Sequence, residues 1–458
     1  MTLAIAFLAT LITPGLAAET AENDEMELKI PYTEFMLDNG LQVLLSEDHD
    51  VPTAFVDVWY HVGSKDEVQG RSGFAHLFEH LMFQGSENQN TDYFVPLQAV
   101  GASINGTTNL DRTNYFEGVP AEHLPLALWL EADRMGWLVL DEARLANQQD
   151  VVRNERRQRY ENPPYGDVWV TLLANIYEEG HPYHHPTIGN HEDLEAATIA
   201  DVKAFYSQWY TPDNATIAIV GDIDIEETKA LVEKYFGEIP KSETAVERKQ
   251  PATVELTEEK VIRQERDVPL HKVWIAWPSP AFFAEGDAEL DILSTSLVGG
   301  KSSRLEKRLV HELRIAKEIT AYQASSELSS MFMINATAAD GHSTDELVAE
   351  IDKVLAELRS EGPTADEIEL GKIDFEVMQI AGLASNYAKA EALQRYNHYV
   401  GTPDYVAQDL ARYANITPET AKDAANKYLP ADKRVVLHVV PKPAEKSDSQ
   451  NNETEAGK

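Results

Sequence analysis

Apolar and polar positions along this chain alternate first with the period of a strand and then with that of a helix. From Tyr32, Phe35-Met36-Leu37 gives way to Asn39-Gly40 and then Leu41-Gln42-Val43-Leu44-Leu45, the pattern of two strands joined by a hairpin turn. A further strand is expected over Ala54–His61. Two more are expected over Ala102–Thr108 and Thr113–Val119, joined near Asn109-Leu110-Asp111. Helical spacing takes over at Leu124–Leu138, Asp141–Tyr160 (stopped by Pro163-Pro164), Ile199–Trp209 and Ile225–Phe236, with a strand at Ala215–Val220. Strands and helices are thus mixed along the chain.

The same grammar then starts again. Lys241–Glu255 is rich in charge and poor in apolar periodicity, and reads as a linker over 241–255. Beyond it, Lys272-Val273-Trp274-Ile275-Ala276-Trp277 repeats the strand pattern of Val56-Asp57-Val58-Trp59-Tyr60-His61, and a helix is expected at Ser302–Glu312. The expectation is two related units, 28–240 and 256–441, followed by a polar tail over 442–458 that lacks the apolar residues to fold.

Composition narrows the picture. With 458 residues and 43% hydrophobic residues the chain can build real cores. There are no cysteines, so any bound metal must be held by His, Asp or Glu. The net charge of −38 disfavours nucleic acid as a partner and, being spread along the chain, reads as a solvated surface. Leu3–Ile12 is a short apolar run, broken by Pro14-Gly15 and followed by the small pair Ala17-Ala18. This order predicts a secretory signal over residues 1–18, hence a periplasmic or secreted protein without a transmembrane segment.

The densest chemistry lies at His76-Leu77-Phe78-Glu79-His80, an H-x-x-E-H pattern. Ser72 is the expected N-cap and Gly85 the expected C′ residue of a helix that is otherwise apolar nearly all round: Phe74, Ala75, Leu77, Phe78, Leu81, Met82 and Phe83. On a helix His76 and His80 lie one turn apart on one side, with Glu79 beside them. A metal ion bound by both imidazoles and a third ligand would satisfy these buried polar groups, leaving an open position for chemistry. The bland alternative is a set of core polar residues satisfied by hydrogen bonds. A candidate third ligand is Glu155, 75 residues beyond His80 and surrounded by Arg153, Arg156, Arg157 and Arg159, although spacing alone equally fits a surface charge ladder.

These residues resemble the M16 (pitrilysin-like, inverzincin) metallopeptidases. The likeness continues through Leu81-Met82-Phe83-Gln84-Gly85-Ser86, Gly101-Ala102-Ser103-Ile104-Asn105-Gly106-Thr107-Thr108, Tyr210-Thr211-Pro212-Asp213-Asn214 with Val220-Gly221-Asp222, Phe236-Gly237-Glu238-Ile239-Pro240, and Gly299-Gly300-Lys301-Ser302-Ser303-Arg304-Leu305. The resemblance implies two homologous α+β domains, each an antiparallel sheet packed with helices, in the manner of mitochondrial-processing-peptidase-like metallohydrolases. It implies one Zn2+ per chain on His76, His80 and Glu155, with Glu79 as general base. It further implies peptide substrates bound along Ala102, Ser103, Ile104, Asn105 and Gly106, and enclosure of a chamber with a homologous subunit, as a homodimer or as a heterodimer with one lacking the zinc motif.

Two departures stand out. Gln148 occupies a position, seven before Glu155, where members often carry an acid. The family's substrate-binding Arg and Tyr, seven apart, have no clean match: Arg314 is followed by Ala321 at seven and Tyr322 at eight, and an alternative register puts the pair on His311 and Lys317. A non-catalytic peptide-binding or assembly subunit is the alternative function. A zinc-storage role would call for His-rich surface tracts, for which His181, His184, His185 and His191 are the only local cluster.

Overall fold

The computed structural model describes residues 28–244, 246–250 and 254–443. The expected signal segment and nearly all of the expected tail lie outside these residues. Two mixed sheets form the frame. The first contains β1 (Thr33–Met36), β2 (Gln42–Glu47), β3 (Thr53–Tyr60), β4 (Ser103–Thr108), β5 (Thr113–Pro120) and β6 (Ala215–Gly221), in the order β1-β2-β6-β3-β5-β4. The second contains β7 (Lys260–Arg266), β8 (Lys272–Ser279), β9 (Ala316–Ala324), β10 (Ser330–Ala338) and β11 (Val435–Pro441), in the order β7-β11-β8-β10-β9.

Removing β1 makes the two orders superimpose, strand for strand. Each sheet is antiparallel apart from one parallel pair, β2 with β6 and β7 with β11. Those partners are far apart in sequence, so no hairpin turn dictates their relative direction. The repeat expected from the strand pattern is therefore a repeat of topology.

The two units also exchange cover. The helix Asn386–Val400, from the second half of the chain, lays Ala390, Leu393 and Tyr396 on Leu44, Phe55, Ala218 and Val220 of the first sheet. In return the helix Val168–Ile176 places Val168, Leu172, Leu173 and Ile176 on Trp274, Ala276, Met333 and Leu437 of the second. Each sheet buries its opposite face under helices of its own half. Burying apolar area on both faces of a sheet requires such a layer on each side, and here the far layer is borrowed.

Several local expectations are corrected. The first helix following β8 is Asp287–Val298, entered through Gly286; the expected Ser302–Glu312 helix is present over residues 304–312, π-wound at Glu306–Glu312. Gly299 and Gly300 separate the two, so the Gly-rich turn precedes this shorter helix and not Asp287–Val298. The motif helix spans Phe74–Leu81, with Gly73 at its N-cap in the left-handed region (φ 90°) and no side-chain cap. Ser72, the expected cap, instead donates from both its backbone N–H and its Oγ to Asp193. The cap arrives from Glu67, whose carboxylate accepts from the Gly73 and Ala75 N–H groups at 2.9 and 2.8 Å. Side-chain capping from outside the first turn leaves no local sequence signature.

Candidate metal centre

The motif helix is held by its apolar residues. Phe74, Ala75, Leu77, Phe78 and Leu81 are all buried, with Phe78 stacked on Tyr210 at 4.7 Å between ring centroids. The remaining face carries His76, Glu79 and His80 toward the helix Glu142–Arg156 and strand β4. Rotation of this helix about its axis would bury the polar triplet in the apolar core, so packing fixes its direction.

Glu155 comes from the last turn of Glu142–Arg156, whose start is capped by Asp141. Its Oε2 lies 3.6 Å from His76 Nε2 and 3.3 Å from His80 Nε2, and the three candidate ligand atoms lie within 4.8 Å of one another. Metal–ligand distances of about 2.0–2.2 Å in a tetrahedron place ligand atoms about 3.3–3.6 Å apart, which spans the two imidazole–carboxylate edges. Glu155 Oε1 is taken by Arg159 at 3.0 Å, so the expected charge ladder and the convergence coexist on one carboxylate. Of the four neighbouring arginines only Arg159 pairs with it; Arg153 pairs with Glu195, Arg156 with Glu161, and Arg157 donates to Asn154.

The electrostatics suit a cation. Burial, the adjacent His80 and Arg159 push His76 down to about 4, so its imidazole is neutral at ordinary pH, as a ligand must be. Burial opposes ionisation of Glu155, but His80, His76 and Arg159 outweigh it and hold the carboxyl below its usual range. Gln148 Oε1 sits 3.3 Å from His80 Nδ1 and can accept that proton, which turns the Nε2 lone pair inward. His76 Nδ1 is buried without a hydrogen-bond partner. Two imidazole Nε2 atoms and a carboxylate oxygen converging within 4.8 Å fit a divalent ion, and a His₂Glu set fits zinc.

Glu79 stands beside this group and outside it. Its Oε2 accepts from Thr108 Oγ1 at 2.5 Å. Burial raises its pKa, with the Thr108 hydrogen bond and His80 acting in the opposite direction. The expected docking residues Ser103, Ile104, Asn105 and Gly106 lie on β4, with Ala102 just before it. β4 is the edge strand of the first sheet and pairs only with β5 among the described strands. A Cβ at Gly106 would stand 3.1 Å from the Phe83 ring, so the absent side chain lets this strand lie close to the motif segment.

Arg314 and Tyr322 do not join the cluster. Arg314 occupies a left-handed turn (φ 57°) between the Glu306–Glu312 turn and β9, and Tyr322 projects from β9, 42% exposed. Among the described residues neither contacts His76, Glu79, His80 or Glu155. In the alternative register His311 lies 3.8 Å from Glu306, and Lys317 pairs with Asp340 at 2.7 Å. The histidine-rich loop is divided among separate partners: His181 stacks on Tyr177, His184 meets the Tyr177 carbonyl, His185 faces Glu67 and His191 pairs with Glu161. It forms no metal cluster among the described residues. Sequence reasoning missed Thr108 as Glu79's partner, which lies 29 residues away, and Glu67 as the cap, which lies six residues before Gly73 and outside the N-cap position where capping residues are sought.

Comparison with known proteins agrees with this geometry. Residues 42–189 match the family model described as Insulinase (Peptidase family M16), and residues 196–373 match that described as Peptidase M16 inactive domain. The zinc protease PqqE of Helicobacter pylori is 31% identical over 400 residues, covering 83% of this chain and 88% of that one. The uncharacterized zinc protease YmxG of Bacillus subtilis is 26% identical, covering 77% and 84%. A crystal structure of a protease from Helicobacter pylori superimposes with a TM-score of 0.83 at 28% identity, covering 90% of this chain and all of that one. Two units of one topology, a helix-borne H-x-x-E-H meeting a distant glutamate, and relatives named as zinc proteases lead to one assignment: the chain belongs to peptidase family M16.

Proposed function

We propose that this protein is a zinc-dependent endopeptidase that hydrolyses peptides or unfolded segments. The observation that carries the reading is the convergence of His76, His80 and Glu155 with Glu79 alongside. Bound to His76, His80 and Glu155, zinc would supply a Lewis acid that polarises the scissile carbonyl and acidifies water. The chain's own residues do the rest. The open edge of β4 takes an extended peptide by strand addition, so backbone hydrogen bonds give affinity with modest sequence preference. Glu79 accepts the proton of the attacking water at its carboxylate and delivers it to the leaving amine.

The Arg and Tyr that the family uses on the substrate carbonyl are not presented at the centre by Arg314 and Tyr322. We infer that a homologous subunit completes the site and helps enclose a chamber. Among the described residues no helix is long and apolar enough to cross a membrane, and the apolar run at residues 3–12 supports export. The test is digestion of a peptide library with and without chelator, by the chain alone and with its homologous partner. Glu79→Gln is expected to abolish turnover while zinc stays bound. Near-normal hydrolysis by that variant would refute the assignment of the base.

A further inference from the structure

We propose that Thr108 is a positioning residue for Glu79, and that strand β4 thereby couples substrate docking to the aim of the base. This rests on the peptidase reading above.

Thr108 is the last residue of β4, two positions beyond the docking segment that ends at Gly106. Its hydroxyl donates to Glu79 Oε2 at 2.5 Å, a short bond to a charged acceptor. Among the described residues no hydrogen bond reaches Glu79 Oε1, so one oxygen is tethered and the other is free to meet water. A glutamate has three side-chain torsions, and an untethered carboxylate would spread over several rotamers. Tethering one oxygen selects the orientation in which the other can take a proton.

The tether holds because the hairpin beyond it cannot move freely. Asn109 Oδ1 accepts from the N–H groups of Asp111 and Arg112 at 2.7 and 2.8 Å, closing the turn. Ser64 and Lys65 N–H groups donate to the carbonyls of Asn109 and Leu110. Arg112 donates to the Thr107 carbonyl at 3.0 Å and lies over Trp59. The tip is also anchored to the second half of the chain. Asp111 Oδ2 accepts from the Glu327 N–H at 2.9 Å and from Tyr399 Oη at 3.2 Å, and Tyr183 Oη donates to Asp111 Oδ1. A peptide added to the outer edge of β4 is therefore registered against the same strand that aims Glu79. The half without a metal cluster contributes by fixing where that strand ends.

The test compares Thr108→Val, which keeps the shape and removes the donor, with Thr108→Ser, which keeps the donor. Thr108→Val is expected to lower kcat about tenfold to a hundredfold while KM changes by less than about twofold. Metal stoichiometry and melting temperature should stay those of the parent. Thr108→Ser should recover most of kcat. A crystal structure of Thr108→Val should find the Glu79 carboxylate turned from its parental position. An unchanged kcat in Thr108→Val, a failure of Ser to rescue, or an unmoved Glu79 would each overturn the proposal. If the parent shows no chelator-sensitive hydrolysis, the peptidase reading fails by itself, and the position of Glu79 in the Val crystal still decides the role of Thr108.

Discussion

The helix that follows the third strand of the first sheet and the helix that follows its counterpart in the second make an instructive pair. Phe74–Leu81 follows β3 and Asp287–Val298 follows β8, in two sheets of matching order. Both bring buried polar groups into a protein interior, and they solve the resulting problem differently. In the second half, Asp287 is fully buried and accepts from Arg412 at 2.8 Å, from Gln323 at 2.5 Å and from Ser325 at 3.1 Å. Asp291 accepts from Tyr413 Oη at 2.6 Å, and burial beside Asp287 pushes it up to about 7. The compensating positive charge is a guanidinium built into the chain. In the first half, two imidazoles converge on one oxygen of Glu155 while Arg159 pairs with its other oxygen at 3.0 Å, and His76 Nδ1 has no hydrogen-bond partner. One fold thus carries a cluster neutralised by a distant guanidinium and a cluster whose donor atoms lie within 4.8 Å of one another, a set that fits an added cation.

The most severe way to break this comparison is His76→Ala. It should take metal content from one ion per chain to none and activity to background, measured by elemental analysis and peptide hydrolysis. Retention of stoichiometric zinc would show that the cation sits elsewhere. The matching change in the second half is Arg412→Ala, which leaves Asp287 and Asp409 without their guanidinium. A loss of about 3–5 kcal/mol in denaturant unfolding is expected, because a buried ion pair loses one member. Zinc content should not change. A stability unaffected by this substitution would mean that the two helices do not face the same electrostatic demand.

A gentler probe concerns the seam between the halves. Burial opposes the charge on Glu327, but His398 and Lys65 hold its pKa at about 2, against an ordinary 4.5. A carboxyl depressed by folding adds stability that is fully present above about 4.5 and is lost as pH falls toward 2. Acid unfolding of the parent should steepen in that window. Glu327→Gln should flatten it, and identical profiles would remove Glu327 from the account. The smallest effect is expected from Gln148→Glu. A carboxylate facing His80 Nδ1 raises the basicity of the ligand nitrogen, so zinc should bind about tenfold tighter in a chelator competition. Unchanged or weaker binding would show that the amide is not acting on that imidazole.

How much of this was legible follows from the range of each interaction. The strands Ala54–His61 and Ala102–Thr108 appear within a residue of their observed bounds, because alternation and a turn are local properties. His76, Glu79 and His80 could be placed on one helical face for the same reason, since the helical period fixes the angle between side chains. Glu155 could not be singled out by spacing among so many acids; only a family resemblance ranked it. The helix Asp287–Val298 is not legible locally because polar positions break its apolar stripe, and their partners Arg412, paired with Asp287, and Tyr413, donating to Asp291, come from far along the chain.

The sequence by itself determined the local grammar: where strands and helices form, which three side chains share the motif face, and that no thiolate could serve as a ligand. Tertiary structure decided the remainder. It brought Glu155 across to the imidazoles, set Thr108 against Glu79, placed β4 at an open edge, and laid a helix of each half over the sheet of the other. These outcomes join residues separated by tens to hundreds of positions, where no local period carries information. They are chosen by which buried faces and charges can be satisfied together once the whole chain has packed.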